Sequence, residues 1–164
     1  MVARGAESEK RMSTQDLLNW QRLYSWTEQK EPNAVLGESC TNILCPLAVY
    51  LNEQTNLEGW SIGPSIKCGD ERLEKSEWVK ALIVKTDEAT GNKRGPVTRE
   101  RFLVVLGQVK ALVKLCDRCH KESDDLYDVT PAALGDITTI HVCDDCYQAE
   151  VYELGQDEYI LTYR

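Results

Sequence analysis

The sequence predicts an α+β protein with two parts: a helix-rich domain with one or two short strands over residues 13–115, and a small module over residues 116–164. Three observations support this prediction. Apolar residues recur at helical spacing through most of the first part. Short alternating runs, which are typical of strands, occur on both sides of a turn-rich stretch in the second part. Two Cys-x-x-Cys pairs, separated by 23 residues, also fall in the second part.

The composition is that of a folded chain, because 42% of the residues are hydrophobic and 28% are charged. No run of about 18 apolar residues is present, so no membrane span is expected. Residues 1–12 are polar and charged; they predict a flexible tail and lack the apolar segment of a secretory signal. Seven cysteines without an export signal favour a reducing compartment, and we therefore predict a cytoplasmic protein.

The formal net charge of −8 is distributed unevenly. Residues 1–115 carry 16 Lys/Arg against 15 Asp/Glu, whereas residues 116–164 carry 3 Lys/Arg against 12 Asp/Glu. So acidic a module should repel phosphate backbones, which nucleic-acid-binding proteins must neutralise. A basic protein is the better partner for it. The alternative is that the charge serves solubility alone.

The first helix is predicted from residue 14 to about residue 29, with Ser13 or Thr14 as its cap. Pro32 and Gly37 then indicate a loop. The apolar face of the helix contains the residues spaced at i, i+3, i+7 and i+10, which are Leu17, Trp20, Tyr24 and Thr27.

The second helix is predicted to start at Pro46, because proline suits the first turn of a helix, with Asn42 as the candidate cap. Alternating apolar residues in positions 59–68 predict a strand that Gly63-Pro64 interrupts, which favours a sheet edge. The apolar stripe of the second helix contains Leu44, Leu47, Ala48 and Leu51.

The third helix is predicted from Ser76 through Ala89, although residues 81–84 also fit a strand. Residues 91–96 (GNKRGP) predict a loop, and Thr98 is predicted to cap the most regular helix of the chain. Since that helix leads almost directly to Cys116, the connection to the second part should be short or stiff. Its stripe contains Phe102, Val105, Leu106, Val109, Leu112 and Val113.

The two cysteine pairs, Cys116-Asp-Arg-Cys119 and Cys143-Asp-Asp-Cys146, predict one metal site. Two intervening residues let both sulfurs of a pair face one point, and two pairs complete the thiolate tetrahedron that Zn²⁺ favours. Four protein ligands leave no open coordination position. We therefore expect one structural zinc ion that contributes on the order of 10 kcal/mol to folding of the module.

The residues around the ligands predict a hairpin from runs at 126–129 and 137–142, with a loop that contains Pro131 and Gly135. A helix should start at Cys143 and end at Gly155, and residues 158–163 predict a closing strand. This order of knuckle, hairpin and helix over residues 115–154 resembles a treble-clef zinc finger, although no glycine follows Cys119. A zinc ribbon is the alternative, in which a strand follows Cys146. Residues 1–115 resemble no known family.

Other cofactors fit parts of this pattern. Cys116, Cys119 and His120 match a c-type haem attachment sequence, paired cysteines also bind iron as in rubredoxin, and Cys143 with Cys146 could serve as a redox pair.

Many treble clefs are nucleases of the HNH type, which need a histidine base and histidine metal ligands. With only two histidines, we expect His120 and His141 to support the metal site from outside the ligand set.

Three groups of residues remain as candidate sites. Cys40, Cys45 and Cys68 are expected in the core rather than at a second metal. A basic patch around residues 91–101 is a candidate contact for phosphate or an acidic protein, the alternative being a solvated loop, and contains Lys93, Arg94, Arg99 and Arg101, with Lys85 nearby. A candidate acidic docking surface contains Asp124, Asp125, Asp144 and Asp145.

These features favour a non-enzymatic zinc-binding interaction or adaptor protein whose acidic module docks on a protein partner. That partner could itself bind nucleic acid, in which case the module would act as an inhibitor. The first alternative is a nucleic-acid-associated regulator that binds through the basic patch, and the second is a degenerate treble-clef nuclease. No nucleotide-binding or nucleophile-elbow motif is present. The oligomeric state does not follow from the sequence.

Overall fold

The computed structural model describes residues 13–131, 139–154 and 159–162. It contains helices and small antiparallel sheets, which confirms the predicted α+β class. The tail predicted at residues 1–12 lies outside the described residues. Within the described ranges, every helix is too short or too polar to span a bilayer.

The first part, residues 13–115, contains more strands than the one or two predicted. Its helices are α1 (Trp20–Glu28), α2 (Pro46–Thr55), α3 (Glu77–Glu88) and α4 (Arg99–Val109). Its strands are β1 (Val35–Glu38), β2 (Ser61–Ile62), β3 (Ile66–Cys68), β4 (Glu71–Leu73) and β5 (Pro96–Thr98). Strands of two to four residues are too short to show an alternating pattern, which explains why most of them were missed.

The predicted first helix is two elements, because two capping residues compete for its start. Ser13 caps the 3-10 helix Thr14–Leu17, and its own N–H donates to Asp16 Oδ2 over 3.1 Å. Asn19 then starts α1, with its Oδ1 accepting the Arg22 N–H over 3.0 Å. The prediction of one continuous helix was therefore wrong.

The predicted strand over residues 59–68 is a hairpin. β2 pairs with β3 in antiparallel register, with Ile62 opposite Ile66, and β4 completes a three-stranded sheet. Gly63-Pro64 lies in the turn, where the missing N–H of proline breaks no ladder hydrogen bond. α2 begins at Pro46 as predicted, but Cys45 rather than Asn42 occupies its N-cap position.

Gly37 lies in a strand rather than in the predicted loop. β1 pairs with β5 in antiparallel orientation, and the register is irregular between Val35 and Gly37. Gly37 also passes close to the segment before α2. A Cβ atom at this position would lie 2.3 Å from Leu44 O and 2.9 Å from Pro46 N.

Gly37→Ala should therefore lower the free energy of unfolding by about 1–3 kcal/mol, since the methyl group forces backbone against backbone. Urea denaturation measures this change. Gly107→Ala is the matched control, because a Cβ at this helical position meets no atom within 4 Å. The control should be neutral or stabilising by up to about 1 kcal/mol. Equal stability of the Gly37 variant and wild type would contradict the close approach.

α3 and α4 form as predicted, which also removes the strand alternative for residues 81–84. Thr98 Oγ1 accepts the Arg101 N–H over 3.4 Å and caps α4. The buried stripe of α4 ends at Val109, and Leu112 is 45% exposed in the 3-10 helix Lys110–Leu112. The core that these elements enclose is centred on residues that are at most 1% exposed: Leu23, Tyr50, Leu51, Trp60, Ile66, Leu82, Phe102, Leu106 and Val109.

The second part contains β6 (Tyr127–Pro131), β7 (Ile140–Val142), α5 (Asp144–Leu154) and β8 (Tyr159–Thr162). β6 is the central strand and pairs in antiparallel orientation with β7 and β8. The predicted hairpin, helix and closing strand are present where the structure describes them. The placement of Pro131 in the hairpin loop was wrong, because β6 continues along β8 to the pair of Pro131 with Tyr159. Gly135, Gly155 and the predicted strand residues 137, 138, 158 and 163 lie outside the described residues.

Candidate metal centre

The four paired cysteines converge on one point. The Sγ atoms of Cys116, Cys119, Cys143 and Cys146 all lie within 4.8 Å of one another, and those of Cys119 and Cys143 are 3.7 Å apart. A tetrahedral zinc site with Zn–S bonds of about 2.3 Å places its sulfurs about 3.8 Å apart. The spacing therefore fits one metal ion bound by four thiolates. In the described ranges, this is the only cluster of three or more potential metal ligands.

The first pair lies on a tight knuckle. Cys116 N donates to Lys121 O over 2.9 Å, and His120 N donates to Cys116 O over 2.9 Å. His120 has a φ of 57°, the left-handed conformation that glycine adopts most easily. The sequence has no glycine after Cys119. His120 occupies that position, and the knuckle forms with the histidine in the left-handed conformation.

The second pair is positioned by the junction of a strand and a helix. Cys143 follows β7 directly, and its carbonyl accepts the Tyr147 N–H over 2.8 Å. Cys146 lies in the first turn of α5. Cys143 is buried with Val129 and Val142, and Cys116 is fully buried beside them. The ligands therefore form much of the core of the described module.

Asp117 joins the two halves of the site, a role that sequence reasoning missed. Asp117 N donates to His141 O over 2.8 Å, and His141 N donates to Asp117 Oδ2 over 2.6 Å. His141 Nδ1 lies 2.6 Å from Asp128 Oδ1 on the neighbouring strand. Neither histidine belongs to the ligand cluster. The pairing of β6 with β7 creates the contact of His141 with Asp128, and the packing of the knuckle against β7 creates those with Asp117. Because both depend on residues distant in the chain, the sequence alone gives no signal for them.

The thiols differ strongly in acidity in the absence of a bound cation. Burial raises the pKa of Cys116. The backbone N–H groups of Cys119, Cys143 and Arg118 together have a larger, opposite effect and bring this pKa down to about 6. Burial and the contacts with the other three cysteines raise the pKa of Cys146 to about 12. A bound cation would supply the positive charge that four thiolates need.

The remaining cysteines do not form a second cluster among the described residues. Cys45 and Cys68 are half-buried against the core of the first part, and Cys68 Sγ donates to Glu58 O over 3.5 Å. Cys40 is exposed, so its predicted place in the core was wrong. Its backbone explains the exposure, since Cys40 has a φ of 55° in a turn and its N–H donates to Asp87 Oδ1.

The predicted basic patch is partly used within the fold. Arg99 donates from Nε to Thr27 O and from Nη2 to Glu28 O, each over 3.2 Å, and so caps the C-terminal end of α1. Arg94 Nε forms an ion pair with Glu38 over 2.6 Å. The side chains of the other two members, which are Lys93 and Arg101, are exposed and without a described side-chain contact.

The acidic docking residues Asp124, Asp125, Asp144 and Asp145 are all exposed, and none of them forms a salt bridge in the described part of the chain. Acidic residues of the first part do form such pairs. The described Lys/Arg ion pairs are Glu53 with Lys30, Glu77 with Lys80, Glu88 with Lys85, and Glu38 with Arg94. The negative charge of these four aspartates is thus left for solvent or a partner.

Comparison of the chain with models of known protein families, with curated proteins and with solved structures yields no significant match. The chemistry of the four-cysteine cluster and the charges beside it therefore carry the functional argument.

Proposed function

We propose that the module binds one structural zinc ion through its four cysteines in a treble-clef arrangement. Two observations support this. The sulfur spacing suits tetrahedral zinc, and a helix rather than a strand contains Cys146, as in a treble clef and unlike a zinc ribbon. A site with four protein ligands is closed, so the ion would fix a shape and carry out no reaction.

The function that this shape best supports is non-enzymatic docking on a basic protein. The observation that carries the proposal is a set of four carboxylates near the metal centre that form no salt bridge with any residue the structure describes. Asp144 and Asp145 lie between the ligands of the second pair, at the start of α5. Asp124 and Asp125 follow the knuckle that carries the first pair.

Metal binding would hold these two acidic segments at a fixed distance and orientation relative to each other. Cys119 Sγ and Cys143 Sγ are only 3.7 Å apart, although the residues are separated by 24 positions in the chain. Each acidic segment is thus a few residues from a sulfur of the same cluster. Charges at fixed positions select a partner of complementary pattern, steer its approach and set the orientation in which it binds.

The test is a charge reversal at Asp144 and Asp145, both to lysine. The purified chain captures binding proteins from cells that produce it, and the affinity of each purified partner is then measured. We expect the reversal to weaken binding at least about tenfold, because like charges then face each other. The matched control reverses Asp70 and Glu71, two exposed acidic residues of the first part, and should bind as wild type does.

Two outcomes would contradict the proposal: capture of no partner, or equal affinity of wild type and the Asp144/Asp145 reversal. Raising the salt concentration should weaken the wild-type complex, because exposed charges are screened beyond about 8–10 Å. If the partner binds nucleic acid, competition between the module and that nucleic acid would identify the chain as an inhibitor.

A further inference from the structure

The knuckle that carries the first two ligands also sets the position of a glutamate. Leu115 and Glu122 pair across the two arms of the knuckle, and Cys116 N donates to Lys121 O over 2.9 Å. On the other side of Glu122, Ser123 N donates to Lys114 O over 3.1 Å, so backbone hydrogen bonds between the two arms flank Glu122. The shape of this knuckle fixes the point from which the Glu122 side chain extends.

Glu122 contacts the start of a helix in the first part of the chain. Its Oε1 accepts the Trp20 N–H over 2.6 Å and the Gln21 N–H over 3.3 Å. Both amides lie in the first turn of α1, where N–H groups lack partners within the helix. A carboxylate at this end is also stabilised by the helix dipole. Glu122 is thus a cap supplied to α1 by the metal-binding knuckle.

Trp20 connects this cap to the core. Its side chain is 7% exposed, and its ring stacks on Tyr24 with the ring centroids 4.9 Å apart. The indole N–H donates to Leu106 O over 3.0 Å, and Lys110 Nζ lies 5.2 Å from the ring centroid. Leu106 lies in the last turn of α4 and Lys110 directly follows that helix, ten and six residues before Cys116. A closed set of contacts therefore joins the knuckle, α1 and α4.

We propose that Glu122 couples metal binding at the four cysteines to the first turn of α1, so that the first part of the chain responds to the metal state of the module. This inference rests on the metal centre of the proposed function. Metal bonds to Cys116 and Cys119 hold the knuckle in shape and so hold Glu122 on the helix. Removal of the metal releases the knuckle, and α1 loses the acceptor of its Trp20 and Gln21 amides, while Asn19 still caps the Arg22 amide.

The coupling must be reciprocal, because two linked equilibria affect each other by the same factor. The stability lost with a helix cap corresponds to a change of roughly 2- to 30-fold in an equilibrium constant. Glu122→Ala should therefore weaken zinc binding by roughly 2- to 30-fold, as measured by competition with a chelator. Glu122→Gln, which keeps a neutral acceptor, should lie between the alanine variant and wild type.

Hydrogen exchange on the full chain provides the direct test, with zinc and after its removal by chelation. In wild type, zinc removal should speed exchange in the peptide that contains Trp20 and Gln21, while the peptide over residues 60–68 stays protected. Zinc-loaded Glu122→Ala should already show the faster exchange at Trp20 and Gln21. The matched control is Asp125→Ala, which removes an exposed acidic side chain of the same arm, and its exchange at Trp20 and Gln21 and its zinc affinity should equal those of wild type.

Native mass spectrometry of each sample separates the two proposals. Absence of zinc from wild type would defeat the metal centre itself. With one zinc per chain confirmed, the coupling is overturned if exchange at Trp20 and Gln21 is the same with and without metal. It is also overturned if metal removal exposes residues 60–68 equally, or if Glu122→Ala exchanges and binds zinc as wild type does.

Discussion

Replacement of Cys116 by serine should abolish metal binding and unfold the module over residues 116–162. Structural zinc sites contribute on the order of 10–16 kcal/mol to the folding of small domains, and three remaining thiols do not form a closed site. The described module offers little to offset this loss. Apart from its cysteines, its fully described buried apolar residues are Val129 and Val142, and so small a core does not support a fold without a metal.

The measurements are native mass spectrometry and hydrogen exchange. Cys116→Ser should lose the mass of one zinc ion and lose protection in β6 and β7. Chelation of wild-type protein should reproduce both effects. Cys40→Ser is the control, because Cys40 is exposed and lies outside the four-cysteine cluster. A Cys116 variant that kept its zinc and its protected strands would show that the cluster is not the metal centre.

The metal cluster could be predicted because its information is local. The two ligands of each pair lie three positions apart on one turn of chain, so the spacing alone brings the two sulfurs of a pair together. That the two pairs meet across 23 intervening residues was expected from the four-thiolate coordination that Zn²⁺ favours. The long helices were predictable for the same reason. The stripe from Phe102 to Val109 extends over about two turns of α4, and Thr98 provides a cap directly before the helix.

The contacts that attach the module to the rest of the chain could not be predicted, because they join residues far apart in sequence. Glu122 caps a helix that starts 102 positions earlier, and Asp117 binds the backbone of His141. Each is an ordinary surface acid by composition. The break at Asn19 has a similar cause. Asparagine is a weak signal within a helical pattern, and its capping hydrogen bond becomes evident only in three dimensions.

Most of the five short strands of the first part were missed for a different reason. A strand of two or three residues shows no periodicity, and its existence depends on the partner across the sheet. Trp60 illustrates this dependence. The sequence placed it in a strand, whereas the structure places it just before β2, fully buried and hydrogen-bonded to α2. Its importance thus comes from packing rather than from secondary structure.

Trp60→Ala should lower the free energy of unfolding of the first part by about 3–5 kcal/mol, because it removes a fully buried indole and leaves a cavity. It also removes the hydrogen bond from Trp60 Nε1 to Thr55 Oγ1, which is 2.9 Å long. Trp60→Phe keeps most of the apolar volume and should cost less. Leu57→Ala is the surface control, since Leu57 is 44% exposed, and should change stability by less than about 0.5 kcal/mol.

The same variant tests whether the two parts of the chain have separate cores. Trp60 belongs to the buried cluster of the first part, whereas the cysteines form a second cluster with Val129 and Val142. Trp60→Ala should therefore unfold at a lower urea concentration than wild type does. In the absence of urea, it should still carry one zinc ion. Loss of zinc together with loss of stability would mean that zinc binding by the module depends on the whole core of the first part. The contact at Glu122 would then account for only part of the coupling between the two parts.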